Sequence, residues 1–207
     1  MMYTPYARLS KYLSLAAMIL ITLVAIYNKN ITVFYIIYLF WWDEFVKTVF
    51  YRLRYHFKKN LFQNPVQVLN GIKARLFFLF IYIVFIIVIF GLVINWKDHD
   101  LIIMNLEVLF FKNTFFNITL LTFLLREIAI YQIGSDQITF NTSLSKGVIT
   151  LHISIVLGIL LWFLVSKKFI LFTDHAVIFS IIPFLLLKIF FEVMEIKENT
   201  SESSSHF

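Results

Sequence analysis

Asp43, Glu44 and Lys47 stand inside YLFWWDEFVKTVF, residues 38–50, a segment whose other side chains are almost all lipid-soluble. An isolated Asp, Lys or Arg at the centre of a membrane helix costs about 2.5–3.5 kcal/mol, so three together demand partners, water or a helix end. Other apolar runs carry Arg126 and Glu127 in LLREI, His152 in TLHIS, and Lys188 and Glu192 in LLLKIFFEV. Three chemistries suit this set. Carboxylates beside Lys and His in a low dielectric can exchange a proton or hold a cation, with Lys188 neutralising them between loads. Alternatively, Glu44 and His152 could act as acid and base while Lys188 or Arg126 holds a phosphate. A metal site is a subordinate version, with Glu44, His152 and Glu192 as candidate ligands for zinc or manganese.

Spacing supports pairing before any fold is known. Asp43 and Lys47 are four apart, as are Lys188 and Glu192, while Glu44 and Lys47 are three apart; each couple shares a helix face. A pair within one helix still leaves both charges dehydrated in lipid. The groups are therefore expected to face a bundle interior or a wet cavity.

The elements that must position them are membrane helices. The chain is 60% hydrophobic and 14% charged, where a soluble domain is nearer 45–50% and 25%, and its 25 Phe exceed what a water-facing fold of 207 residues could hide. The expected fold class is all-α, a polytopic transmembrane helix bundle with about six spans near 9–27, 31–51, 76–95, 114–133, 147–165 and 175–194. Residues 1–195 form one domain, and 196–207, polar and Ser-rich, form a disordered tail. The stretch 98–112, greasy but with Asp98, Asn105 and Lys112 at seven-residue intervals, reads as an external interfacial helix. Trp41, Trp42, Trp96 and Trp162 read as interface anchors.

Orientation follows from the basic residues. Between the second and third spans lie Arg52, Arg54, Lys58, Lys59, Lys73 and Arg75 with no acid, a basic loop 52–75 broken by Pro65 and Gly71. Such a loop belongs on the cytoplasmic side against anionic lipid headgroups, which places both termini inside an inner membrane. Lys167 and Lys168 then fall outside, outnumbered. By residue rise, Arg126 and Glu127 lie about 18 Å into their span. Counting the same way brings Asp43, Glu44, Lys47, His152, Lys188 and Glu192 to the same cytoplasmic third. The net charge of +6 is gathered at the membrane flanks and gives no nucleic-acid footprint. With no cysteine there is no thiolate site or disulfide, and no cofactor motif is present. Heavy use of Phe, Ile, Lys and Asn points to an AT-rich bacterial genome.

Trp42-Asp43-Glu44, Leu151-His152 with Gly158, and Lys188 followed by Glu192 resemble the motifs of a family of bacterial multi-pass membrane proteins known only as a domain of unknown function. That resemblance implies that Trp42, Glu44, His152, Gly158, Lys188 and Glu192 belong to one set, and it brings no activity. The sequence departs from the family pattern at Asp43, at Phe45, where asparagine is usual, and at Glu192, where aspartate is usual. Three functions follow as expectations: a small transporter or ion- or proton-coupled carrier, an enzyme acting on a lipid or other membrane-borne substrate, or a non-catalytic bundle that recruits partners. A pocket opening on the charges favours the first two, and a dry paired network the third.

Overall fold

The computed structural model of the chain describes residues 5–59, 62, 64–133, 145–166 and 176–201. Among these the fold is entirely helical: α1 (Pro5–Tyr27), α2 (Val33–Phe57), α3 (Pro65–Phe85) continued by a π-helical segment (Ile86–Val93), α4 (His99–Leu109), α5 (Thr114–Ile133), α6 (Lys146–Ser166) and α7 (Ala176–Ser201). Among the described residues three stretches are long and apolar enough to cross a membrane, namely Tyr6–Tyr27, Pro65–Val93 and His99–Gln132, the last shared by α4 and α5. The part of α6 whose side chains are described, Lys146–Leu161, is apolar as well. The helix α2 is not among them because its charges interrupt the apolar run.

Its surroundings explain how α2 tolerates those charges. It packs against α3 and its π segment, α4, α5, α6 and α7, while α1 lies across α5 and α7. Every residue from Phe34 to Trp41 is buried, as are Asp43, Glu44, Val46, Lys47 and Thr48. A helix covered on all sides meets protein rather than lipid or water, so polar groups on it can be satisfied by its neighbours. Trp41 is one of these interior residues. Its indole Nε1 donates to the Leu79 carbonyl of α3 at 2.7 Å, so it is a core contact and not the interface anchor its type suggests, whereas Trp96 is exposed.

The basic stretch folds differently from the loop read at 52–75. Arg52 and Arg54 lie on α2, which continues to Phe57, and Lys73 and Arg75 lie on α3. Pro65 opens α3 at its first turn, where its missing N–H costs nothing. Gly71 sits buried inside the same helix, at a penalty of only about 1 kcal/mol relative to Ala. Arg54 and Arg75 are buried over the ring of Tyr51, at 5.7 and 5.6 Å, and so do not face lipid. Arg52 and Lys59 are exposed, and half-buried Lys58 lies 4.7 Å from the Tyr131 ring centroid.

At the other end of the chain, α7 runs to Ser201 where a disordered tail was expected from 196. Ile196 is buried, and Glu195 accepts from Lys11 Nζ of α1 at 2.8 Å, which ties this extra turn to the bundle. Residues 202–207 of that tail, and Lys167 and Lys168, lie outside the described residues.

The helix expected over 98–112 is α4. Asp98 caps it, accepting from Leu101 N at 3.1 Å. Asn105, read as part of a polar stripe, is instead buried, as a side chain with four hydrogen-bonding valences can be when neighbours satisfy them. Its Nδ2 donates to the Phe90 and Gly91 carbonyls of the π segment, both at 3.2 Å, and its Oδ1 accepts from Thr32 Oγ1 at 2.7 Å. Thr32 in turn caps α2 by accepting from Tyr35 N. One amide thus joins α4, the π segment and the start of α2.

Candidate functional site: a buried charge network

Side chains from the middle of α2, the second half of α5, the start of α6 and the middle of α7 come together. On α2, Asp43 and Lys47 share a face one turn apart, while Glu44 is turned about 100° away. These directions decide the partners. Asp43, fully buried, accepts from Arg126 Nη2 of α5 at 2.6 Å through Oδ1. Through Oδ2 it meets Lys188 of α7, and Lys47 Nζ at 3.1 Å. Glu192 accepts from Lys188 at 2.7 Å and from Lys47 at 3.3 Å. Glu127 accepts from Arg126 Nε at 2.9 Å. Arg126 also lies over Phe123 and Lys188 over Phe40, at 5.3 and 5.8 Å, where ring faces favour a cation.

Glu44 points to α6. Its Oε2 accepts from Ser145 Oγ at 2.6 Å, and the same Ser145 oxygen caps the helix by accepting from Val148 N at 3.1 Å. Its Oε1 lies 3.5 Å from Lys47 Nζ and has no hydrogen-bond partner among the described residues. A carboxylate placed at a helix start is favoured by the free N–H groups and the dipole there. Two positions later Gly147 leaves the space that the carboxylate fills; a Cβ built there would lie 1.7 Å from Oε1.

Asp43, Glu44, Lys47, Arg126, Glu127, Lys188 and Glu192 are therefore linked through side-chain contacts. His152 is not among them. It is exposed on α6, with Nδ1 3.2 Å from Tyr82 Oη of α3. Among the described residues no group of three His, Asp or Glu is placed to hold a metal ion, so the set Glu44, His152 and Glu192 is not assembled. Gly158, grouped with His152 by its motif, has a packing role: a Cβ there would lie 2.5 Å from the Phe90 ring of the π segment.

Sequence reasoning missed Ser145, Gly147, Lys11 and Glu195. Ser145 just before an apolar helix is a recognisable N-cap, but its second bond, to Glu44, has no local signal. A groove of about 340 Å³ between α1 and α5 leads from exposed Tyr6, Leu9 and Leu125 to Ser14, Thr122 and the buried Arg126. Comparison of the chain with protein-family models, with curated proteins and with solved structures yields no match.

Proposed function

We propose that this chain is a bacterial inner-membrane protein of about six spans that works as a small ion- or proton-coupled carrier. The spans are α1, α2, α3 with its π segment, α5, α6 and α7, with α4 lying at the external interface and both termini in the cytoplasm. Arg52, Arg54, Lys58, Lys59, Lys73 and Arg75 all belong to the α2–α3 end of the bundle, which supports that orientation. The pairing of Lys11 with Glu195 supports termini on one side. Anionic headgroups would meet the exposed members of the basic group, Arg52, Lys59 and Lys73. The likeness to the family of unknown function groups Trp42, Glu44, His152, Gly158, Lys188 and Glu192 without naming a cargo, and of these His152 and Gly158 stand outside the charge network.

One observation carries the carrier reading: the charges are shared. Asp43 is approached by three cations, Lys47, Arg126 and Lys188, and Lys47 by three carboxylates, Asp43, Glu44 and Glu192. In such a set, protonating one acid lets its cation pass to another acid without leaving a buried charge alone, which is what ion-coupled movement requires. The groove reaching Arg126 offers access to the layer from the side.

A second reading, that the network fixes helix register and the bundle recruits partners, is favoured by the burial of every member. The enzyme reading is weakened because His152 and Glu44 do not share a site. Vesicles reconstituted with the protein on a solid-supported membrane discriminate. A pH jump is expected to give a transient current that Asp43→Asn abolishes. If vesicles with and without protein respond alike, while Asp43→Asn costs the about 3–5 kcal/mol of a broken buried pair in a detergent melt, the network is a register lock and the carrier reading is overturned.

A further inference from the structure

The groove between α1 and α5 is apolar at its mouth and polar at its floor. Tyr6, Leu9, Leu13 and Leu125 are exposed around it, while Ser14 and Arg126 border it from inside, 5% and 4% exposed. The Ser14 Oγ is buried without a hydrogen-bond partner. Hydroxyls inside helices commonly turn back to a carbonyl three or four residues earlier, as Thr48, Thr119, Thr122 and Thr150 do here. Ser14 does not. Thr22 and Ser154 are unbonded too, but neither borders the groove. Arg126 has donors to spare as well. Of the five N–H groups of a guanidinium, one at Nε goes to Glu127 and one at Nη2 to Asp43, and the others have no acceptor among the described residues. Buried donors beside an apolar trough call for an acceptor, because leaving them unmatched is costly.

Charge and depth decide what that acceptor is. Arg126 already meets two carboxylates, at 2.9 and 2.6 Å, so an anion would set a third negative charge beside one guanidinium. A neutral carbonyl oxygen, with two lone pairs, can take an Arg126 N–H and the Ser14 hydroxyl together. Ser14 lies about 12 Å along α1 from Tyr6, and Arg126 about 10 Å before the Ile133 end of α5, at 1.5 Å per residue. On the proposed topology both are well inside the hydrocarbon. A glycerolipid ester is tethered to its headgroup at the edge of that region and does not reach them. A quinone does, since it joins carbonyl oxygens on a flat ring to an apolar tail and carries no charge. The groove, at about 340 Å³, is of the size that holds such a ring, within the roughly 300–1,000 Å³ usual for ligand pockets.

We propose that the α1–α5 groove is a binding site for a lipid-soluble quinone, whose carbonyl accepts from Arg126 and from the Ser14 hydroxyl while its ring and tail lie over Leu9, Leu13 and Leu125. The carbonyl only accepts hydrogen bonds, so no redox partner is required. The site rests on the reading of α1 and α5 as membrane spans and not on transport.

Photolabelling tests it, with the full-length protein in vesicles of phosphatidylcholine and phosphatidylglycerol and an azido-benzoquinone bearing a decyl tail. Peptide mapping should find adducts within 9–17 or 122–126 that excess decyl-benzoquinone displaces. Ser14→Ala should raise the quinone concentration needed about fivefold, the size of one neutral hydrogen bond. Leu13→Trp fills the groove from its exposed side without touching a charge and should abolish the adducts. Leu20→Trp, equally exposed on α1 but outside the groove, should keep them. Adducts that are absent, that excess quinone does not displace, or that persist in Leu13→Trp overturn the site. So does an azido-acyl phospholipid that labels the groove and is not displaced by quinone. Extraction of the protein by alkaline carbonate would instead refute the membrane spans beneath the proposal. Displaceable adducts in a protein giving no pH-jump current uphold the site and reject the carrier, and a current without adducts does the reverse.

Discussion

At Gly147 a single added methyl would lie 1.7 Å from Glu44 Oε1 and 2.1 Å from its Cδ, so the carboxylate must leave the α6 start if any side chain occupies this position. Gly147→Ala is expected to destabilise the fold by about 1–3 kcal/mol, the usual range for overpacking, plus the loss of the Ser145 bond. Adding Glu44→Ala should restore much of the loss; a detergent melt of the two single variants and the double variant checks this, and strictly additive losses would mean that the two residues do not compete for space. The sequence shows why Asp43, Lys47, Arg126, Lys188 and Glu192 can meet, because residue rise along each span gives depth. It does not show direction around the helix axis. His152, counted to the same depth, therefore turns out to face Tyr82, and Glu44 turns to a hydroxyl that no charge count would select.

Among the elements, the π segment and α4 depend on one another. A π helix widens the turn and pairs N–H groups with carbonyls five residues back, as Ile94 N does with Ile89 O at 2.9 Å. Asn105 takes the Phe90 and Gly91 carbonyls. Asn105→Ala would leave buried acceptors and the Thr32 hydroxyl without their partner, an expected loss of about 1–3 kcal/mol per stranded group. Hydrogen exchange should then speed up at 90–96 and at the α2 start while α5 and α6 stay protected. Equal exchange in variant and wild type would mean that water replaces the amide. None of this was legible beforehand: the run IIVIFGLV reads as plain apolar helix, and the seven-residue recurrence around Asn105 suggested a wet stripe because periodicity shows which residues align, not what covers them. Likewise Pro65 and Gly71 look like breakers in isolation, and only their places in α3 show otherwise.

For the whole molecule, the all-helical class followed from composition, since nothing but helices or closed barrels can cross lipid, and helical apolar runs of this length were plain. The central position of α2 was hidden, because its charges make it the least membrane-like of the long helices. The orientation can be tested with the cysteine-free chain. A cysteine at Asn64, exposed at the basic end, should resist an impermeant thiol reagent in intact cells, while one at Asp100, exposed on α4, should react. Strong labelling at Asn64 with none at Asp100 would invert the bundle.

The burial of α2 among later helices sets a schedule for making the protein. Asp43 is translated with Lys47 four residues behind it, but Arg126 follows 83 residues later and Lys188 145 residues later. At about 5–20 residues per second, Lys188 emerges roughly 7–30 s after Asp43. Throughout that interval the ribosome holds a chain whose second hydrophobic segment has an acid without its final counterions. On the proposed six-span topology such a segment is a poor candidate for release into lipid by itself, so the yield of mature protein should depend on how long α2 is retained until α5 and α7 arrive.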